Sequence, residues 1–471
     1  MPITSIRLKN FKCFADSGEI PLRPLTVIFG RNNTGKSSIL HGLSIFCQSL
    51  DSMQGARGSL ARLNLDGSLH MAGSYSDCVH KHDMKKRIRV IFGIQYLAPS
   101  RPWSGRRFAP RVASFHRVMS NNIRGYIHFE FGQDEPQPPL LMESLVEIPE
   151  GKLAPVHWSL RKREGRYIPM LRVGKSDVSI SDYVLNDSGP YFGNANPYLS
   201  NVSRYWEEKP NRLPLGIAEK VFDELRDHFQ RMRAIGAFRQ SPLRRYEFQG
   251  SSNLPDPAGA NVIAAIIADS LREGRAERNR LLKAINQWMD RVGQVRLMPV
   301  RRISKIARLY ELRLRDTDSG RWANFADVGF GIAQALPVIV EGLRTPEGAM
   351  FLVQEPEIHL HPDAQLAMAD YLVGLVKARR GVIVETHSEH MVLRFRNLLL
   401  SNARNGRSAP KLKPEEVSFV YVDKDKTGKS HARALELDNL AQFKDWPKDF
   451  MEEASRERLD ILEKMARRMN K

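Results

Sequence analysis

The sequence predicts an α/β fold whose buried strands end on the loops that carry the chemistry, and three runs of residues predict it. Leu25 to Phe29 is a short β-branched and aromatic run that leads into a glycine-rich loop, followed by the helical apolar spacing of Ile39, Leu40, Leu43 and Phe46. Met350 to Val353 is a second buried run and ends on Gln354 and Glu355. Gly381 to Val384 is a third and ends on Glu385-Thr386-His387-Ser388.

The glycine-rich loop, Gly30-Arg31-Asn32-Asn33-Thr34-Gly35-Lys36-Ser37, fits G-x-x-x-x-G-K-[ST]. Strand, loop and helix is the context that pattern requires. Gly30 and Gly35 allow the backbone to bend round phosphate oxygens where a Cβ would clash. The amides of Asn32, Asn33, Thr34, Gly35 and Ser38 then form an anion nest backed by the helix N-terminus. Lys36 is placed to reach the β- and γ-phosphates, and the Ser37 hydroxyl to ligate Mg2+.

Hydrolysis needs a carboxylate at a neighbouring strand end to orient and deprotonate the attacking water. Glu355 is the candidate, with a solvated strand-end glutamate as the alternative. His387 can donate to the γ-phosphate or to the water. Alternatively, Thr386 or Ser388 caps the following helix and His387 is a surface residue.

These residues carry a family resemblance. Gln354-Glu355-Pro356-Glu357-Ile358-His359-Leu360-His361-Pro362 and the strand-ETHS segment resemble the Walker B and switch-histidine regions of ABC-type ATPases. With the phosphate loop, they resemble the bacterial SMC-like AAA group that includes the OLD nucleases and the ATPase subunits of phage-defence systems such as Septu and PARIS. Asp327 to Pro337 resembles that group's signature loop and helix. Ile235 to Tyr246 and Lys444 to Phe450 resemble two further segments. The resemblance is specific around the nucleotide site and weak between residues 95 and 230. It implies a P-loop NTPase of the ABC/SMC-head type, with ATP and Mg2+ as cofactors and with Glu355 and His387 as catalytic residues. It also implies that Gly329 and Gly331 offer backbone amides to a nucleotide held by a second subunit.

Two departures stand out. Gln354 occupies the place where ABC heads carry the aspartate that holds the Mg2+ water, so the metal side would be Ser37 with Gln354. A neutral amide accepts more weakly than a carboxylate, which implies slow turnover. The signature region has Val328 or Ala333 where a serine is usual. Gln48 and Gln95 are the glutamines available for the loop joining two lobes.

Along the chain, residues 1–95 form the first part of the expected head and 96–214 a β-rich extension and connector. Residues 215–305 form a helical insertion, 306–400 the second part of the head and 401–471 a tail. Alternating strands are expected at Arg87 to Tyr96, Tyr126 to Phe131, Val156 to Leu160 and Tyr167 to Val173, making an antiparallel sheet. Loops are expected at Ala98 to Ser120 and Asp182 to Pro214. Leu215 to Ala234 and Asn261 to Val292 have helical periodicity and form either an arm or lid or a layer packed on the head. Leu309 to Leu314 with the following DTDSG turn reads as a hairpin, and the charged end of the chain as helical. No heptad pattern is sustained over four repeats, which argues against a long coiled coil of the SMC type.

The 471 residues allow two or three structural units, and 42% hydrophobic with 27% charged residues is an ordinary globular composition. The opening MPITSIRLKNF lacks a signal peptide's apolar stretch, and no apolar run reaches about 18 residues, so a cytoplasmic protein without membrane contact is expected. Cys13, Cys47 and Cys78 have no zinc or disulfide spacing. The net charge of +19 attracts nucleic acid, or reflects a solvated surface or a patch for an acidic protein.

A nucleotide sandwiched between two heads implies a homodimer or a larger even-numbered assembly. The resemblance implies a separate effector, a nuclease or toxin, under its control. The alternatives are a DNA repair or chromosome-maintenance ATPase like RecF or the SMC proteins, and a nuclease with its own metal site. For the nuclease, Asp423-Lys424-Asp425 is the candidate pair, although its neighbours suit a hairpin turn better.

Overall fold

Strand β4 (Leu25–Gly30) is buried along its whole length, because both faces of the sheet that contains it are covered. The computed structural model describes residues 3–51, 63–96, 123–132, 141–147, 155–163, 166–178, 225, 227–250, 256–272, 279–292, 295–304, 306–400 and 411–445. The strands before β4 are β1 (Ile3–Phe11), β2 (Phe14–Asp16) and β3 (Ile20–Pro21). Those after it are β5 (Ile88–Tyr96), β6 (Ile123–Phe131), β7 (Leu141–Glu147), β8 (Val156–Arg163), β9 (Arg166–Val173) and β10 (Ser176–Val178). All but β4 form one antiparallel sheet, in the order β10-β9-β8-β7-β6-β5-β1-β2 with β3 on β1.

Strand β4 lies in a second sheet with β11 (Arg233–Ile235), β18 (Met350–Gln354), β19 (Gly381–Glu385), β20 (Val417–Lys424) and β21 (Ser430–Leu435). The order is β11-β18-β19-β4-β20-β21, parallel except for β21. Six short strands complete the β structure among the described residues. They are β12 (Tyr246–Glu247), β13 (Val295–Leu297), β14 (Arg301–Ser304), β15 (Leu309–Glu311), β16 (Arg313–Asp316) and β17 (Trp322–Asn324), in two three-stranded sheets. The main helices are α1 (Lys36–Asp51), α2 (Asn261–Ser270), α3 (Arg280–Val292), α4 (Phe330–Arg344), α5 (Pro362–Lys377) and α6 (Glu389–Leu400).

The alternation of side chains along β4 sets the two cores. Leu25, Val27 and Phe29 join the helices α2 to α6, whereas Ile28 joins α1 and the antiparallel sheet. Helix α1 is fixed to that sheet by Phe46, whose ring centroid lies 4.7 Å from Phe92, 4.6 Å from Phe129 and 5.3 Å from Phe229.

Several expectations are corrected. Of the two readings of the helical segment, the packed layer is what forms and the arm or lid is not: α2 and α3 pack on each other and on α4, and α3 also packs on α5. Val262, Ile266, Ile285 and Trp288 are buried there, since the apolar stripe of each helix needs a partner. The helical reading through Ala234 fails at Arg233, where β11 adds in parallel to β18. Leu309 to Leu314 is not one strand, because it breaks at buried Leu312 into β15 and β16, which belong to different small sheets. The DTDSG turn does close a hairpin between β16 and β17, with Asp316 Oδ1 accepting from the amides of Asp318 and Ser319. Strand β7 had no expectation, because its apolar residues come in pairs rather than alternating. The expected loops at 98–120 and 182–214, residues 215–224, the tail segment 446–450 and the charged end 451–471 lie outside the described residues. Among the described residues no helix is long and apolar enough to cross a membrane.

Candidate active site

Parallel strands bring their C-terminal ends to one edge, where ligands bind in open α/β sheets. At that edge β4 turns into α1, β18 ends on Gln354 with Glu355 next in the chain, and β19 ends on Glu385.

The turn out of β4 admits only glycine at two positions. Gly30 has φ 150°, and a Cβ there would lie 2.2 Å from the Val422 carbonyl oxygen on β20. Gly35 has φ 105°, and a Cβ there would lie 2.1 Å from Cys13 Sγ. Thr34 is buried behind the loop and donates to the Arg31 carbonyl at 2.9 Å. Lys36 is 3% exposed, and its Nζ donates to the carbonyls of Gly30 at 3.1 Å and Arg31 at 2.7 Å. Burial lowers its pKa, against the pull of Glu385, Glu355 and Glu357.

Asn32, Asn33, Gly35, Lys36, Ser37, Ser38, Glu355, Glu385 and His387 line one open cleft of about 610 Å³. The Ser37 hydroxyl donates to Glu385 Oε1 at 2.6 Å. Gln354 lies beside Glu385 in the parallel register and donates its amide N–H to Glu385 Oε2 at 3.2 Å. Burial pushes the Glu385 carboxyl up to about 7, with the Ser37 bond and Lys36 acting in the other direction. Glu355, Glu385 and His387 each offer a ligand atom, all within 4.8 Å of one another. Ser37 Oγ and these carboxylates are hard oxygen donors of the kind Mg2+ takes.

Glu355 has φ 43°, a left-handed conformation unusual for glutamate. Its amide donates to the Glu385 carbonyl at 2.8 Å, and the buried Arg239 holds the surrounding backbone. Arg239 donates to the carbonyls of Gln354 at 2.6 Å, Glu355 at 3.0 Å, Gln334 at 3.1 Å and Gly236 at 3.0 Å. Burial lowers its pKa to about 10, so it stays charged at neutral pH. Arg239→Met is expected to remove roughly 2–4 kcal/mol of stability by orphaning those carbonyls, read from the urea midpoint. An unchanged midpoint would show that the strand end does not depend on it.

His387 Nε2 stands 3.9 Å from Glu355 Oε1. Burial, and then the positive charge of Lys36, lower its pKa, so the ring is neutral at pH 7. Its backbone N–H donates to the buried Glu357 carboxylate at 2.5 Å. Ser388 Oγ accepts from the Met391 amide at 3.0 Å in the first turn of α6. The capping role therefore falls to Ser388, and His387 is left facing the cleft.

Sequence reasoning did not nominate Glu385, Arg239 or Glu357 for this site. For Glu385 the telling feature is the register that sets it beside Gln354, which only the folded sheet shows. Gly329 and Gly331 lie outside the cleft lining. Gly329 is exposed at the start of α4, and Gly331 packs on the His359 carbonyl, where a Cβ would come within 2.6 Å. Gln48 clamps a loop instead of facing the cleft, donating to the carbonyls of Asn64 and His70. Gln95 lies in β5, inside the antiparallel sheet. Asp423 and Asp425 lie at the β20–β21 hairpin, where Asp425 Oδ1 is taken up by Thr427 and Lys429.

The family model described as AAA ATPase domain matches residues 1–107 and 267–392. No curated protein matches. Among solved structures, the SMC head domain from Thermotoga maritima is similar at 12% identity and TM-score 0.37, over 93% of this chain and 100% of that one. An SMC head bound to the C-winged helix domain of ScpA is similar at 13% identity and TM-score 0.38, over 93% and 99%. An SMC head with an extended coiled coil, bound to the C-terminal domain of ScpA derived from Pyrococcus furiosus, is similar at 14% identity and TM-score 0.37, over 99% and 100%.

Proposed function

We propose that the chain binds ATP with Mg2+ in this cleft, hydrolyses it, and uses the bound and spent states to open and close an assembly of two or a larger even number of copies. The observation that carries the reading is the meeting of Lys36, Ser37, Glu355 and His387, from distant parts of the sequence, around one cleft. The match to the AAA ATPase domain on both sides of the inserted segment supports it.

The loop amides and Lys36 hold the triphosphate, exchanging the carbonyls of Gly30 and Arg31 for phosphate oxygens. Mg2+, when bound, would neutralise charge on the β- and γ-phosphates. Glu355 orients the attacking water and takes its proton, and neutral His387 donates toward the γ-phosphate. The cleft is open, and Gly329 and Gly331 lie outside it, which leaves room for the same loop of a second copy to cover the nucleotide. Loss of the γ-phosphate then removes contacts that only the closed state makes.

In the cell, the assembly would control a separate effector, a nuclease or toxin, in bacterial antiphage defence. A role in DNA repair or chromosome maintenance is the second reading, favoured by the net charge of +19. The test is light scattering of the Glu355→Gln protein with and without ATP and Mg2+. The expected result is a doubling of mass or more with nucleotide, and equal mass in both conditions would sink the switch. Salt-dependent DNA binding by the isolated chain would move the assignment to the second reading.

A further inference from the structure

We propose that the carboxylate serving the metal has moved across one strand: Glu385 on β19 holds the Mg2+ side of the site, and Gln354 on β18 is its positioning residue. This deepens the ATP reading and rests on it.

Four observations carry the assignment. The Ser37 hydroxyl, the group that faces the metal in a loop of this pattern, meets Glu385 Oε1 at 2.6 Å. Gln354 and Glu385 are paired neighbours at adjacent parallel strand ends, about 4.8 Å apart. A glutamate side chain spans such an offset. The amide of Gln354 is turned as a donor onto Glu385 Oε2 at 3.2 Å and also lies 3.3 Å from His41 Nε2, so its N–H side faces the cleft carboxylate. Glu385 itself is 1% exposed, and its hydrogen-bond partners are a neutral hydroxyl and a neutral amide. Lys36 acts on this carboxylate through space without a hydrogen bond to it, and in the ATP reading it turns to the phosphates, so a divalent cation at Ser37 would supply the direct charge partner.

The arrangement also explains why position 354 is an amide. A carboxylate there would stand directly beside Glu385 at the same buried edge, and like charges in that geometry repel. An amide donates to its neighbour and fixes the carboxylate's orientation toward Ser37. The expectation of slow turnover from a neutral Gln354 then loses its ground, since the missing charge is restored one strand away.

The test measures Mn2+ binding by electron paramagnetic resonance with the ATP analogue AMP-PNP, on the full chain. It compares the unsubstituted protein, Glu385→Gln, Gln354→Ala and the exchange variant Gln354→Glu with Glu385→Gln. Glu385→Gln is expected to weaken Mn2+ on the order of 10–100-fold, while AMP-PNP binding in EDTA does not weaken, since the change removes a negative charge from the cleft. The exchange variant returns the carboxylate to β18 without changing the side chains' size and is expected to recover part of the loss. Gln354→Ala should weaken Mn2+ less than Glu385→Gln. Equal Mn2+ affinity in Glu385→Gln and the unsubstituted protein, with a loss in Gln354→Ala, would overturn the assignment. Failure of the unsubstituted chain to retain AMP-PNP with or without Mn2+ would instead remove the ATP reading and take this proposal with it.

Discussion

Glu355→Gln is expected to lower ATP turnover on the order of 10²–10⁴-fold while nucleotide affinity changes little. The substitution keeps the side chain's length and its hydrogen-bonding capacity but removes the base. The backbone at φ 43° is held by Arg239 and by the Glu385 carbonyl, and neither contact uses the Glu355 side chain. The strand end should therefore stay in place. Phosphate release under saturating ATP checks the rate, and equilibrium binding of a labelled nucleotide checks the affinity. A fall of less than about tenfold would assign the water-activating role elsewhere, with His387, 3.9 Å away, as the first alternative.

The second large effect is on binding. Lys36→Ala is expected to weaken ATP on the order of 10²–10⁴-fold, because charge-assisted bonds to phosphate are worth about 1.5–3 kcal/mol each and this lysine reaches two phosphates. The cost to the fold should be below about 1 kcal/mol. Removing Lys36 orphans the carbonyls of Gly30 and Arg31 but also removes an ammonium whose pKa burial already lowers. Calorimetric titration with ATP, beside a denaturant melt, separates the two. Retained affinity would place the triphosphate elsewhere, whereas a collapsed melt would show that Lys36 serves the loop's own structure.

How much of this was legible follows from what each signal depends on. Strands β4, β18 and β19 could be read because each is a short, wholly apolar run that ends abruptly on polar residues. The phosphate loop could be read because two glycines at fixed spacing meet a demand that no other residue satisfies. What escaped depends on lateral pairing. Glu385 was quoted as part of a strand end, but only the register with Gln354 shows that the two share one job. Arg239 lies in Ile235 to Tyr246, a stretch singled out for its resemblance, and its work on four carbonyls needs α4 and β18 in three dimensions. Strand β11 is too short to show a period before it pairs with β18.

The position of β4 has a consequence for synthesis. Its neighbours in the sheet, β19 and β20, are encoded far downstream. On the ribosome, LTVIFG therefore emerges with neither edge satisfied and stays so while most of the polypeptide is still being made. Contacts of this sequence separation close slowly. Until β19 and β20 exist, this largely apolar hexapeptide has no native partner and must be kept from its own kind.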